Sequence, residues 1–114
     1  MRLVPLALLV VLIASPALAK TVSPADAFQY VGQTVTVEGV VSGVHESRSA
    51  TFINMGGRYP DNLFTGVVFE SDASKVGDVS GLDGKKVDIT GTVRLYKGKP
   101  EIVIKSAEQI KPAS

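Results

Sequence analysis

Two ten-residue stretches of the chain share one strand-like pattern that contains a glycine. Residues 32–41 (GQTVTVEGVV) and 84–93 (GKKVDITGTV) both fit G-x-x-V-x-[VI]-x-G-x-V. Valine or isoleucine alternates with polar residues in each copy, which is the period of a half-buried strand. Because a glycine inside a strand marks a bend or bulge, the repeat predicts two equivalent, strongly curved strands of a small barrel. Two copies are too few for a solenoid.

The segments around the repeat also favour strands. Residues 20–114 contain 14 Val, 5 Ile and 7 Thr, residue types that are enriched in β-structure. The stretch from Asp72 to Leu82 predicts a short helix or an irregular connection between the third and fourth strands. The five predicted strands are Thr34 to Val44, Thr51 to Met55, Phe64 to Glu70, Lys85 to Tyr96 and Lys99 to Lys105.

A short helix is predicted before the first strand. Ser23 is a good helix cap, and Pro24 suits the first helical position. The helix should end by Gly32, with Phe28 and Val31 packed on the strands. The alternation within the strands places these side chains on inward faces: Val35, Val37, Val41, Val87, Ile89, Val93, Leu95, Ile102 and Ile104. Phe52, Phe64 and Phe69 are also expected in the core, although alternation puts Phe69 on the face of its strand opposite Phe64.

The first nineteen residues, MRLVPLALLVVLIASPALA, differ in composition from the rest. Arg2, an apolar stretch and the final Ala-Leu-Ala match a secretory signal peptide, with cleavage expected before Lys20. The apolar stretch is shorter than a spanning helix needs, although a retained anchor is the alternative. We therefore expect a periplasmic or secreted protein with no membrane span after cleavage. Residues 20–114 would form one domain, with the barrel at about 32–105.

Charge and cysteine content narrow the possible functions. The whole chain has a formal charge of +1 and no cysteine. Arg2 is the one charged residue in the first nineteen, so residues 20–114 carry a formal charge of zero. This disfavours a binder that holds polyanions by bulk attraction, because such binding needs excess Lys and Arg. The lack of cysteine excludes a disulfide framework and a lipid-modified cysteine.

These segments resemble OB-fold domains of the anticodon-binding and single-strand-binding type, over roughly residues 30 to 110. The most distinctive match is residues 96–104 (YKGKPEIVI), which look like the hairpin between the fourth and fifth strands of such domains. The resemblance implies an all-β fold, a five-stranded Greek-key barrel that binds its ligand across the second and third strands. Residues 52–69 are also similar to secreted nuclease-like proteins, but that class's catalytic carboxylates and arginines have no counterparts here. A weaker similarity is to a periplasmic bacterial stress family with this fold.

If the ligand lies on that face, its neighbours come from the predicted loops. Arginine and lysine would contact phosphates, and tyrosine rings would stack on bases or sugars. Basic residues at loop tips are also what solvation alone favours. The candidate ligand-binding residues are Arg48, Arg58, Tyr59, Arg94, Tyr96, Lys97 and Lys99.

Nothing in the sequence predicts catalysis, a metal or a cofactor. His45 is the one histidine and is expected in a loop without a catalytic partner. The Gly56-Gly57 pair lacks the lysine of a phosphate-binding loop. The leading hypothesis is a non-enzymatic, exported protein that binds single-stranded nucleic acid weakly. The alternative is an envelope-stress or interaction module for a peptide, glycan, small ligand or protein partner. No residue pattern specifies an oligomeric state.

Overall fold

The computed structural model describes residues 19–113, so the predicted signal peptide lies outside the described residues except for Ala19. Within that range no helix has the length and apolar character needed to cross a membrane. In residues 19–113, one short α-helix, one 3-10 helix and three 3-10 turns accompany the strands. The elements are β1 (Thr21–Val22), a 3-10 helix (Pro24–Tyr30), β2 (Thr34–Glu46), β3 (Ala50–Met55), β4 (Phe64–Phe69), a 3-10 turn (Glu70–Asp72), α1 (Ala73–Val76), a 3-10 turn (Ser80–Leu82), β5 (Lys86–Tyr96), β6 (Lys99–Val103), a 3-10 turn (Ala107–Gln109) and β7 (Ile110–Pro112).

Strands β2 to β6 form a closed barrel. They are hydrogen-bonded in the order β2-β3-β4-β6-β5, and the pairing of β2 with β5 closes the ring. Strands β4 and β6 are parallel, while the other four pairs are antiparallel. This confirms the predicted all-β class and the five-stranded OB-fold. The sequence did not predict β1 and β7, which extend the sheet beside β2 and β5.

The two copies of the sequence repeat pair with each other. In the antiparallel β2–β5 ribbon, Val35 lies opposite Gly91 and Gly39 lies opposite Val87. A Cβ atom on Gly91 would come within 2.5 Å of Ile102 Cγ2, and one on Gly39 within 2.7 Å of the Pro24 ring. Each glycine is therefore required because another element packs directly against its backbone.

The core confirms most of the predicted buried residues. The fully buried residues include Phe64, Ile53, Ile89, Ile102 and Ile104 and five valines of the repeat copies, Val35, Val37, Val41, Val87 and Val93. Phe69 and Leu95 are exceptions, with 38% and 45% of their surface exposed. Leu95 lies near the end of β5, where alternation continues but the barrel no longer has an interior. Phe69 lies on the outer face of β4, opposite the face that carries Phe64. Phe52 is only half-buried and faces outward.

The N-terminal helix forms where predicted but as a 3-10 helix. Ser23 Oγ accepts a hydrogen bond from the Asp26 amide at 3.3 Å, and Pro24 occupies the first position. Phe28 does not pack on the strands as predicted, since it is 57% exposed, whereas Val31 forms a β-bridge with Val93 of β5 and stays 42% exposed. Ala27 is the buried residue of this helix, because the tighter 3-10 spiral turns a different face to the barrel.

The end of β2 differs from the prediction in a way that affects the site. Strand β2 continues to Glu46, beyond the predicted end at Val44. His45 therefore lies in a strand opposite Phe52 and not in a loop. The connection between β4 and β5 holds α1 and two 3-10 turns, which confirms the predicted short helical connection.

The outer side of the β2–β5 ribbon carries an acidic pair. Glu38 lies directly opposite Asp88, and Lys86 Nζ approaches Glu38 Oε1 at 3.1 Å. Asp88 also lies opposite Lys111 of β7. Asp88 Oδ1 is buried without a hydrogen-bond partner in residues 19–113. Burial, followed by the adjacent Glu38 carboxyl, raises the pKa of Asp88.

The substitution Asp88→Asn should stabilise the protein near neutral pH. The raised pKa means that the folded state binds this proton more tightly than the unfolded chain does. That stabilisation is complete below the ordinary pKa of 3.8 and is lost as the pH rises through the raised value. Asparagine mimics the protonated form, so we expect a melting temperature higher by about 3 °C at pH 7. This gain in melting temperature should shrink below pH 4, where Asp88 is protonated in the unaltered protein as well.

The matched control is Asp78→Asn. Hydrogen bonds from the Ser80 side chain and backbone lower the pKa of Asp78. Its charged form is therefore the stabilising one, and this substitution should lower the melting temperature at pH 7. Thermal unfolding followed by circular dichroism measures both. A destabilised Asp88→Asn protein at neutral pH would contradict the argument.

Candidate functional site

A groove of about 590 Å³ crosses the outer face of β3, β4 and β6 beside the turn between β5 and β6. We call it the hairpin groove. Its walls come from β2, the β3–β4 loop and the β5–β6 hairpin. It is lined by His45, Phe52, Asn54, Tyr59, Pro60, Asn62, Thr65, Tyr96, Lys97, Lys99, Pro100 and Glu101.

Aromatic rings stand on both sides of the groove. Phe52 stacks on the His45 ring, with centroids 6.2 Å apart and an interplanar angle of 23°. Across the groove, Tyr59 and Tyr96 are 77% and 55% exposed. Exposed aromatic rings beside a concave surface are suited to stacking on planar ligand groups.

The β5–β6 hairpin supplies positive charge at the rim. Its two-residue turn, Lys97-Gly98, has positive φ at both positions, 51° and 79°, as in a type I′ hairpin turn. Lys97 Nζ lies 5.4 Å from the centroid of the Tyr96 ring. Lys99 Nζ lies 5.9 Å from that of Tyr59 and donates to the carbonyl oxygen of Pro60. Lys99 thus holds the β3–β4 loop against β6.

The floor of the groove is a hydrogen-bonded polar network. Asn62 Nδ2 lies 2.7 Å from Thr65 Oγ1 and 3.2 Å from Asn54 Oδ1. Thr65 Oγ1 donates to Asn54 Oδ1 at 3.1 Å. Lys99 Nζ approaches Asn62 Oδ1 at 3.4 Å. The network ties the β3–β4 loop to the strands beneath it.

An ion pair extends this floor onto β6 and β5. Asn54 lies opposite Thr65, Thr65 opposite Glu101, and Glu101 opposite Arg94. Arg94 Nε donates to Glu101 Oε1 at 2.7 Å. The guanidinium also lies 6.0 Å from the Phe69 ring centroid. Four adjacent strands therefore contribute one row of polar side chains.

The structure gathers only part of the predicted site. Tyr59, Tyr96, Lys97 and Lys99 line the hairpin groove. Arg48, Arg58 and Arg94 are exposed but do not line it. Sequence reasoning missed Phe52, Pro60, Pro100 and the polar floor formed by Asn54, Asn62, Thr65 and Glu101.

The sequence does contain an indication of the polar floor of the groove. Asn54 and Glu101 are polar residues between buried apolar ones in their strands, and both are buried. A polar residue at such a position needs a partner, which the strand pattern alone does not identify.

A second concavity of about 510 Å³ lies beside α1. Its charged lining residues are Glu46, Glu70 and Asp78, which disfavour an anionic ligand. Among the described residues, no group of three or more His, Asp or Glu side chains is placed to hold a metal ion. The hairpin groove is therefore the better candidate site for an anion that carries planar rings.

Comparison with known proteins supports the fold. No protein-family model and no curated protein sequence matches the chain. Among solved structures, one described as an aspartyl-tRNA synthetase from Leishmania major Friedlin is similar, with a TM-score of 0.60 and 17% identity over 82% of this chain. An aspartyl-tRNA synthetase from Entamoeba histolytica gives 0.53 and 15% over 89%. The telomere capping protein Ten1 from Saccharomyces pombe gives 0.46 and 14% over 83% of this chain and 81% of its own.

The match to the synthetases is partial. This chain spans 20% and 23% of the length of those two proteins. At this level of identity the similarity concerns the fold of one barrel.

Proposed function

We propose that the protein is a non-enzymatic binding module that holds short single-stranded nucleic acid in the hairpin groove. The observation that carries the proposal is the groove's composition: stacking rings of Phe52, Tyr59 and Tyr96 beside the ammonium groups of Lys97 and Lys99. Rings that stack on bases and cations that pair with phosphates are the two elements of single-strand recognition.

Two further observations support this ligand class. The fold is shared with two aspartyl-tRNA synthetases, proteins named for an RNA substrate. The turn that carries Lys97 is held by the β5–β6 pairs up to Tyr96 and Lys99, so the charged rim is pre-organised. With few cations at the rim and no net charge in residues 20–114, the affinity should be weak and only modestly dependent on salt.

The proposal includes export to the periplasm or the extracellular space after removal of residues 1–19. An exported protein also meets glycans and peptides, and the exposed tyrosines of the groove suit sugar rings as well as bases. A glycan or peptide ligand is therefore the alternative. A thermal-shift screen separates the classes, because a ligand that binds only the folded state raises its melting temperature.

The direct test is a fluorescence-anisotropy titration with a labelled thymidine oligonucleotide at low salt. We expect saturable binding that the substitution Lys97→Asn weakens by about threefold to tenfold. Asparagine is chosen because it tolerates the positive φ at this position. The slope of log K against log salt should fall by about 0.7 if one phosphate contact is lost.

The control is Lys75→Asn, which also removes an exposed charge, here from α1 and outside the hairpin groove. It should leave the titration unchanged. Failure to saturate, or equal weakening by both substitutions, would overturn the proposed groove.

A further inference from the structure

The amide orientation of Asn62 is fixed by a backbone carbonyl. Asn62 Nδ2 lies 3.2 Å from Phe64 O, an atom that can only accept a hydrogen bond. The nitrogen must therefore be on that side, and it also faces Asn54 Oδ1. Asn62 is 3% exposed, so solvent does not compete for these contacts.

The orientation of Asn54 follows from that of Asn62. Its Oδ1 receives hydrogen bonds from Asn62 Nδ2 and Thr65 Oγ1, which places Nδ2 on the opposite side of the amide. Asn54 is 5% exposed and lines the hairpin groove. Within residues 19–113 its Nδ2 has no acceptor, yet the atom is not sealed from the groove. The floor thus presents a fixed, unpartnered donor.

Glu101 presents a hydrogen-bond acceptor beside the Asn54 donor. It is also 5% exposed and lines the groove. Its Oε1 accepts from Arg94 Nε, while no residue in the described range donates to Oε2. The ion pair with Arg94 holds the carboxylate in place. Because Oε2 is not sealed from the groove, a ligand donor can reach a carboxylate oxygen that the protein already holds in place.

The Asn54 amide and the Glu101 carboxylate are placed so that a single base can contact both. Asn54 and Glu101 are separated by Thr65 in the row across β3, β4 and β6, a span of about 9.6 Å between Cα atoms. Phe52 lies two residues before Asn54 on the same face of β3. A base stacked on Phe52 would therefore direct one edge along this row.

We infer that the groove floor selects guanine, with Asn54 Nδ2 donating to the carbonyl O6 and Glu101 Oε2 accepting from N1–H and N2–H. Guanine alone places two adjacent donors beside a carbonyl acceptor. Uracil and thymine flank a single donor with two carbonyls, so one carbonyl would face the carboxylate. Adenine and cytosine offer only their amino group as a donor. The inference rests on the proposed function.

The test compares three labelled oligonucleotides on the unaltered protein. One contains only thymidine, one has a single central guanosine and one has a central inosine, which lacks the N2 amino group. We expect guanosine to bind about tenfold more tightly than thymidine, and inosine to lose most of that gain. Saturable binding without a preference for guanosine would overturn the inference and leave the proposed function standing. No saturable binding to any of them would overturn both.

Two substitutions test the residues directly. Glu101→Gln should bring the guanosine-to-thymidine affinity ratio to within about twofold of one, because an amide loses the doubly accepting carboxylate edge. Glu108→Gln makes the same change on the 3-10 turn outside the groove and should keep the ratio. An unchanged ratio for Glu101→Gln would contradict the assignment. If circular dichroism shows that the Glu101→Gln variant does not fold, the comparison of inosine with guanosine on the unaltered protein tests the guanine assignment.

Discussion

Replacing Phe52 with alanine should weaken oligonucleotide binding by about tenfold to a hundredfold, because stacking of a base on an aromatic ring contributes about 1–3 kcal/mol. Phe52 is half-buried and lines the hairpin groove. The His45 ring packs beside it and so holds it in place. The measurement is the same anisotropy titration.

Two further variants test whether the loss of binding is specific to an aromatic ring in the hairpin groove. Phe52→Tyr keeps the ring and should retain binding within about threefold. Phe28→Ala removes a ring that is 57% exposed on the N-terminal 3-10 helix, outside the groove, and should have no effect. A loss of less than twofold for Phe52→Ala would contradict the stacking role.

The largest effect on stability is expected from Phe64→Ala. Phe64 is fully buried at the start of β4, and truncation of a buried phenylalanine costs about 3–5 kcal/mol. The chain has no cysteine, so no disulfide compensates for the cavity. In a domain of this size the melting temperature should fall by about 15–30 °C. Thermal and urea unfolding measure the loss.

Phe69→Ala is the matched control on the same strand. Phe69 is 38% exposed and its ring faces the Arg94 guanidinium. Its truncation should cost about 1 kcal/mol. Equal losses from the two variants would show that the core does not depend on Phe64 as described.

The fold was largely predictable because its signals are local. Alternation in the two repeat copies identified β2 and β5, and the Lys97-Gly98 pair marked the hairpin turn. Strands β1 and β7 were missed because two or three residues carry no period. Leu95 was assigned to the core because alternation does not indicate where the barrel interior ends. Phe69 was assigned there because it is a large apolar residue, although its place in the alternation is on the outer face of β4.

The candidate site was only partly predictable. Tyr96, Lys97 and Lys99 lie in one hairpin, so a resemblance confined to neighbouring residues identified them. Asn54 and Asn62 meet only because the β3–β4 loop folds back over its own strands. The contact of Arg94 with a ligand stays a prediction, and the structure adds an ion pair with Glu101 that the sequence did not indicate.

The sequence by itself determined the β class, the two curved strands and the absence of net charge in residues 20–114. These depend on alternation, glycine spacing and composition, which are properties of short segments. Only the tertiary structure decided which polar residues meet. Thr65 and Glu101 become neighbours through the parallel pairing of β4 with β6, and no local pattern records that pairing. The polar floor therefore depends on the β4–β6 pairing, which brings strands that are distant in sequence within one hydrogen-bond spacing.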